Sequence, residues 1–282
     1  MDGAGGGNGR GGVSYRVLGP GNVGDVVCCP GGLEIATGGL DDRLDDVARW
    51  HAAMATRGMW GLLAYRDGIA RGFAEIAPSS IAPFPIEAPG AAVLLCFHWA
   101  GTDPADPEHL TEEERMLELL IEEARRSFLG IAALAWDHPI HYPRTLFRRL
   151  GFREVARDSW ISLVWLPFVE GAAPTLSGTR YRPRNLRAEG RLAIDQAYSH
   201  RCPYSLHHAA RVRNAVEEHP ARDRIDLRQM PIDTREEAFA LASSPWDWGW
   251  IYFNAESVDL FDPSDLDLSA RIDRAVRRLP RM

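Results

Sequence analysis

Two short apolar runs, AAVLLCFHW (91–99) and GIAALAW (130–136), flank a longer stretch, LTEEERMLELLIEEARR (110–126). The runs have the length and composition of strands buried on both faces. In the stretch between them Met116, Leu117, Leu120, Ile121 and Ala124 recur at helical spacing. A buried strand, a helix and a second buried strand in succession restrict the chain to an α/β arrangement, with helices covering a sheet.

The same alternation extends outward. Residues 40–57 predict a helix whose apolar face carries Leu40, Leu44, Val47, Ala48 and His51, and residues 69–77 predict a strand. Residues 143–152 predict a short helix ended by Gly151, and 160–168 a further strand. The segment VEGAAPTLSGTRYRPRN is rich in Gly, Pro, Ser and Thr and reads as a linker. Beyond it the alternation restarts: strand 191–199, helix from Tyr204 to about His219, strand 225–232, helix 234–242, strand 248–254, a short strand around Val258, and a final helix over 268–279. The expected organisation is a Gly-rich tail (1–12), a first domain (13–168), a linker (169–190) and a second domain (191–282), within the usual size range.

Net charge is −7, and all 32 basic residues are Arg, scattered among 39 acids apart from a cluster in RIDRAVRRLPRM. That distribution argues against nucleic acid as a partner. Residues 1–12 have no apolar core and do not read as a signal peptide. No apolar run reaches the length of a membrane span. The expectation is a cytoplasmic protein without a membrane partner. Cys28, Cys29, Cys96 and Cys202 are too few and too oddly spaced for a disulfide framework and read as free thiols. Cys96 and His98 share a strand face. They would make a soft-metal site only if Cys28 or Cys29 met them, so no metal is assigned.

Thr111 and Glu114 read as a capping box, T-x-x-E, at the head of the central helix. Carboxylates on a first turn are each favoured by about 0.3–1 kcal/mol. An anion at ~4 Å from one of them would meet repulsion of roughly 4 kcal/mol at an effective dielectric of 20. Asp103, Asp106 and Glu108 just upstream add to that charge.

VVCCPGG, GFAEIAPSSIAPFPIEA, LLCFHWAG, MLELLIEEAR, LFRRLGFREV and LVWLPF, in that order, resemble GNAT-type N-acetyltransferases. The match is to the branch with a C-terminal YoaP-like domain, which YSHRCPYS, PIDTREEA and WIYFN resemble in turn. The resemblance implies a GNAT-like mixed-sheet domain followed by a smaller thioredoxin-like domain. It also implies acyl transfer from acetyl-CoA to a small-molecule amine. In those terms Glu75 is the candidate general base. Phe147 stands four residues before Gly151, where the family often has a proton-donating Tyr, and Tyr142 is the candidate substitute. The strand backbone at Phe97, His98 and Trp99 would hold the cofactor, with Arg144 or Arg148 as possible sources of positive charge. Thr111 and Glu113 stand where the family's pyrophosphate loop has glycines, a departure that sets this helix against an ordinary CoA cradle.

Cys202 closes a strand and opens a helix, with Pro203 at the first helical position. The helix dipole and Arg201 are expected to lower its pKa and make it a third catalytic candidate. The motif ends in Ser205, so a second thiol must come from a low-molecular-weight thiol or another Cys; an inherited, purely structural Cys202 is the alternative. Pro245 occupies the place of a thioredoxin-like cis-proline, with Trp246, Trp248 and Trp250 as groove or core residues. His207 and His208 are expected to face solvent. A further alternative is a scaffold binding a cationic small molecule through the loop acids and Trp50, Trp60, Trp99 and Trp136.

Overall fold

The computed structural model describes residues 12–28, 41–99, 107–137, 142–158, 160–171, 173–178, 181–241, 250–258 and 267–280. The central apolar runs become β5 (Ala92–Trp99) and β6 (Gly130–Trp136), neighbours in a seven-stranded mixed sheet. Its other strands are β1 (Val13–Val17), β2 (Trp60–Arg66), β3 (Ile69–Pro78), β7 (Arg153–Asp158) and β8 (Ile161–Pro167), and the order is β1-β2-β3-β5-β6-β8-β7. The stretch joining β5 to β6 forms α2 (Pro107–Ala124), after α1 (Asp41–Ala55) and before α3 (Arg144–Arg149). All five foreseen apolar residues of α2 are buried, and so is Glu113. The mixed α/β architecture therefore stands.

Every pairing in this sheet is antiparallel except β5 with β6. That parallel pair is in register only at Ala92↔Ile131 and Val93↔Ala132, after which the strands diverge. Tyr142 and Phe147 pack edge-on against Phe97 on the diverging part of β5, with ring centroids 4.6 and 5.8 Å away. The register of β3 against β5 also slips, from Glu75↔Cys96 to Ile76↔Leu94, which leaves Leu95 as the extra residue of a β-bulge. At the closed end Gly130 allows Trp165 to lie on the sheet: a Cβ there would come within 2.2 Å of the indole.

A second sheet, order β11-β10-β12-β13, has its own apolar core built on Leu192, Ile194, Val212, Ile251, Phe253 and Ile272. β10 (Leu192–Tyr198) runs parallel to β11 (Ile225–Pro231) and antiparallel to β12 (Ile251–Phe253), which β13 (Glu256–Ser257) follows. α4 (Pro203–Glu217) makes the crossover between the parallel strands; α5 (Arg235–Leu241) and α6 (Leu268–Arg277) complete the unit. Part of the expected linker forms β9 (Thr175–Leu176), which pairs with β4 (Ile86–Glu87) in a separate two-stranded sheet.

The central helix begins at Pro107, not at Thr111. Thr111 and Glu114 therefore sit inside it, and their side chains cannot form the expected capping box. The chain does have such a box elsewhere: Thr234 Oγ1 accepts from Glu237 N–H (3.2 Å), and Glu237 Oε2 accepts from Thr234 N–H (3.0 Å), at the head of α5. No helix among the described residues is long and apolar enough to cross a membrane.

Candidate functional site

Where β5 parts from β6, its free edge points backbone groups into the opening, and three side chains from three different elements take them up. Phe97 N–H donates to Tyr142 Oη at 3.3 Å. Trp99 N–H donates to Glu113 Oε1 on α2 at 3.4 Å, and His98 Nδ1 lies 4.0 Å from the same oxygen. The bulged Leu95 offers its carbonyl, and Arg201 donates to it from the second unit at 3.0 Å. The first two bonds lie at the weak end of the range.

The three consecutive glutamates in the second turn of α2 are each engaged. Glu112 accepts from Tyr15 Oη at 2.9 Å and lies 3.7 Å from Arg66, and Glu114 pairs with Arg149 at 2.9 Å. Glu113 turns inward to the Trp99 amide. Arg144 is held by Asp137 and Glu154, and Arg148 is exposed.

Glu75 and Cys96 are direct cross-strand partners on β3 and β5, so their side chains share a face. Glu75 is 1% exposed, and its Oε1 lies 2.6 Å from His51 Nε2. His51 Nδ1 lies 2.8 Å from Val47 O, one turn earlier on α1. A carbonyl accepts only, so Nδ1 carries a hydrogen and Nε2 faces the carboxylate. Burial works against a charge on His51, but Glu75 outweighs it and raises the pKa. His51 was expected only as part of an apolar helix face. A strand glutamate opposite a helix histidine was the signal for the pair, visible only once register and docking are known.

Tyr142 holds its side chain at the splay from a left-handed backbone position (φ 48°), uncommon for a bulky residue. Its hydroxyl also hydrogen-bonds the Cys96 thiol. Burial and the neighbouring thiol keep the phenol protonated well above its ordinary range.

The second unit delivers Cys202 to the same place. Asp233 pins the loop before α4, accepting from Ser199 Oγ at 3.1 Å and His200 N–H at 2.8 Å, with His200 Nδ1 at 2.5 Å. Ser205 Oγ, at the position where a second thiol would stand, accepts from Ser199 N–H at 2.9 Å. Cys202 is the N-cap of α4, at the positive end of the helix, and its side chain makes no capping hydrogen bond.

Its pKa nevertheless moves opposite to expectation. Burial raises it, outweighing the Ser205 and Tyr204 amides and Arg201, which lower it. Cys96 is pushed up to about 12, again first by burial. Both cysteines keep part of their surface exposed. Arg201 stands among them, 4% exposed, stacked over the Phe84 ring at 5.0 Å, with no carboxylate partner among the described residues. Its charge acts on His51, Cys96, Tyr142 and Cys202 alike.

The three expected catalytic residues, Glu75, Tyr142 and Cys202, thus converge on one cluster with Cys96, His51 and Arg201. Phe97, His98 and Trp99 line its edge, two of them through backbone amides. His208 is a correction: it is buried against Tyr204, with ring centroids 4.2 Å apart, and burial lowers its pKa to about 4. His207 is partly buried, not fully solvent-facing. Three of the four indoles named for a cation site have neighbours of their own. Trp50 donates to Asp233 O at 3.1 Å, Trp99 lies under Arg66, and Trp136 packs on Trp160. Pro245, Trp246, Trp248, Cys29 and the loop acids Asp103 and Asp106 lie outside the described residues, as do the side chains of Cys28 and Glu108. No metal-ligating group of three or more residues occurs among those described.

No family model matches the chain, and no curated protein does. Among solved structures it is similar to aminoglycoside 6'-acetyltransferase type Ii (13% identity, 56% of this chain and 99% of that one, TM-score 0.41). It is also similar to a GNAT family acetyltransferase from Brucella melitensis in complex with acetyl-CoA (13%, 57% and 92%, TM-score 0.38). A third is the paia N-acetyltransferase from Thermoplasma acidophilum in complex with coenzyme A (12%, 55% and 99%, TM-score 0.38). A likeness this loose leaves the chemistry to the chain's own residues.

Proposed function

We propose that this protein is a divergent GNAT-type acyltransferase acting on a small-molecule amine, with its reacting centre at the splay of β5 from β6 and its second, thioredoxin-like unit closing one side. The observation that carries this reading is the meeting of a buried carboxylate, Glu75, and a proton-holding phenol, Tyr142, beside a strand edge whose amides are only weakly engaged.

Acetyl-CoA, when bound, supplies the acyl thioester. Its neutral amide arm suits the edge of β5, where Phe97 and Trp99 present N–H groups in long bonds of 3.3 and 3.4 Å that a strand-like ligand can replace. Its anionic end suits this chain less well, because Glu113 puts a buried carboxylate at that edge. Glu75 takes the proton of the amine, and His51 fixes the carboxylate so that its second oxygen is the basic one. Tyr142, which keeps its proton, can donate a hydrogen bond to the departing sulfur.

Calorimetric titration of the full chain with acetyl-CoA tests the reading. Saturable micromolar binding is expected, with affinity about tenfold higher in Glu113→Gln as like-charge repulsion is removed. Glu75→Gln should bind equally well and turn over roughly 100-fold more slowly with an accepted amine. No binding up to millimolar by either protein would remove the acyltransferase assignment.

A further inference from the structure

We infer that Cys202 and Cys96 form a dithiol–disulfide couple across the two units, Cys202 attacking a small-molecule disulfide and Cys96 resolving the mixed disulfide. The couple is independent of acyl transfer and adds a redox activity to the cleft.

The second unit cannot complete such chemistry by itself. Three residues after Cys202, where a partner thiol would sit one turn along α4, stands Ser205, 1% exposed and spent on the Ser199 amide. The first unit supplies the missing sulfur. The residue before Cys202 and the residue before Cys96 are joined directly, Arg201 Nη1 to Leu95 O at 3.0 Å. Glu75 and Arg201 act on both thiols, and Cys202 acts on Cys96. The bulge at Leu95 turns that carbonyl toward Arg201. Both cysteine residues are only partly buried.

The order of attack follows from the surroundings. Cys202 stands at the N-cap of α4 beside Arg201, a position that favours a thiolate more than that of Cys96 does, although burial raises the pKa of both. Cys96 has the Tyr142 hydroxyl beside its sulfur, with Glu75 nearby, and does not stand at a helix head. In the first step Cys202 gives its proton to water, and its sulfur displaces one half of a low-molecular-weight disulfide, which leaves as a thiol after taking up a proton. In the second, the Cys96 sulfur attacks Cys202, expels the other half as a thiol and closes the Cys96–Cys202 bond. The two cysteines lose two electrons, and the small disulfide gains them.

The test is to incubate the full chain with oxidised glutathione, digest it with trypsin without reduction, and map the products by mass spectrometry. The expected wild-type product joins CPYSLHHAAR to the peptide carrying Cys96. Cys96→Ser should instead accumulate a glutathione adduct at Cys202, more than about tenfold above wild type, because the fast intramolecular step is gone. Cys202→Ser should leave Cys96 unmodified. A folded wild type, checked by circular dichroism, that yields adducts at either thiol but no joined peptide would overturn the couple. So would joined peptides linking Cys96 or Cys202 only to Cys28 or Cys29. The wild-type map needs no variant to fold, and neither result depends on acetyl-CoA binding.

Discussion

His51 and His208 are both buried, yet their charges respond to pH in opposite senses. His51 gains Glu75 in the folded state, and its folded pKa rises above the ordinary 6.5. The stability it contributes is fully present below 6.5 and is lost as pH rises through the raised folded value. His208 has no carboxylate among the groups that shift it, and burial lowers its folded pKa to about 4. Below 6.5 the unfolded chain takes up a proton that folded His208 refuses, so stability falls as pH drops from 6.5 toward 4 and levels off below. Urea unfolding of wild type, His51→Gln and His208→Gln over that range and above should separate the two. The His208 variant should lose part of the acid-side slope, and the His51 variant part of the slope at higher pH. Parallel curves for all three proteins would show that neither histidine titrates with folding.

The elements show how much the sequence could disclose. β5, β6 and β8 were legible because they are apolar runs of ordinary strand length; β10 (LAIDQAY) and β11 (IDLRQMP) were foreseen although they carry polar residues. β1 (VSYRV) and β7 (REVARD) were not, since as sheet edges they bury little and carry polar residues. β2 (WGLLAYR) was hidden because its apolar residues follow α1 too closely to stand apart from a continuing helix. The T-x-x-E pattern was legible but not unique. At Thr111 it lies within a helix that starts four residues earlier; at Thr234 it caps one. The working box also bears on the site, because Glu237 Oε2 accepts from Asp233 N–H at 2.9 Å, and Asp233 holds the loop before Cys202. Thr234→Ala is therefore expected to cost about 1 kcal/mol in urea unfolding and to increase the rate at which iodoacetamide modifies Cys202. Of the site residues, Cys202, Glu75 and Tyr142 could be picked out one at a time. Their convergence could not, because it depends on a bulge at Leu95 and on the loop before α4 reaching β5 through Arg201.

For the whole molecule, the decisive question is whether the two sheets act as one body, since the site draws on both. Among the described residues, the contacts that join them include Arg201 with Leu95 O and the Phe84 ring, Trp50 Nε1 with Asp233 O, and an ion pair between Arg235 and Glu87 at 2.7 Å. They differ in worth. The Arg235–Glu87 pair is partly exposed and contributes at most about 1 kcal/mol. The Arg201 bond is buried, and a guanidinium kept from water needs its acceptor, so removing the carbonyl contact is costly while removing the charge itself need not be. Trp50 adds the packing of a large indole to its hydrogen bond. Calorimetric unfolding should accordingly show one transition for wild type and for Arg235→Ala. Trp50→Ala should split it into two, as each sheet has its own core and can melt separately once the indole is gone. If Trp50→Ala still melts as one unit at a lower temperature, the units are coupled mainly through the Arg201 side of the cleft. The Cys96–Cys202 bond would then add little to their cohesion. If it splits, oxidation of that pair should restore a single transition.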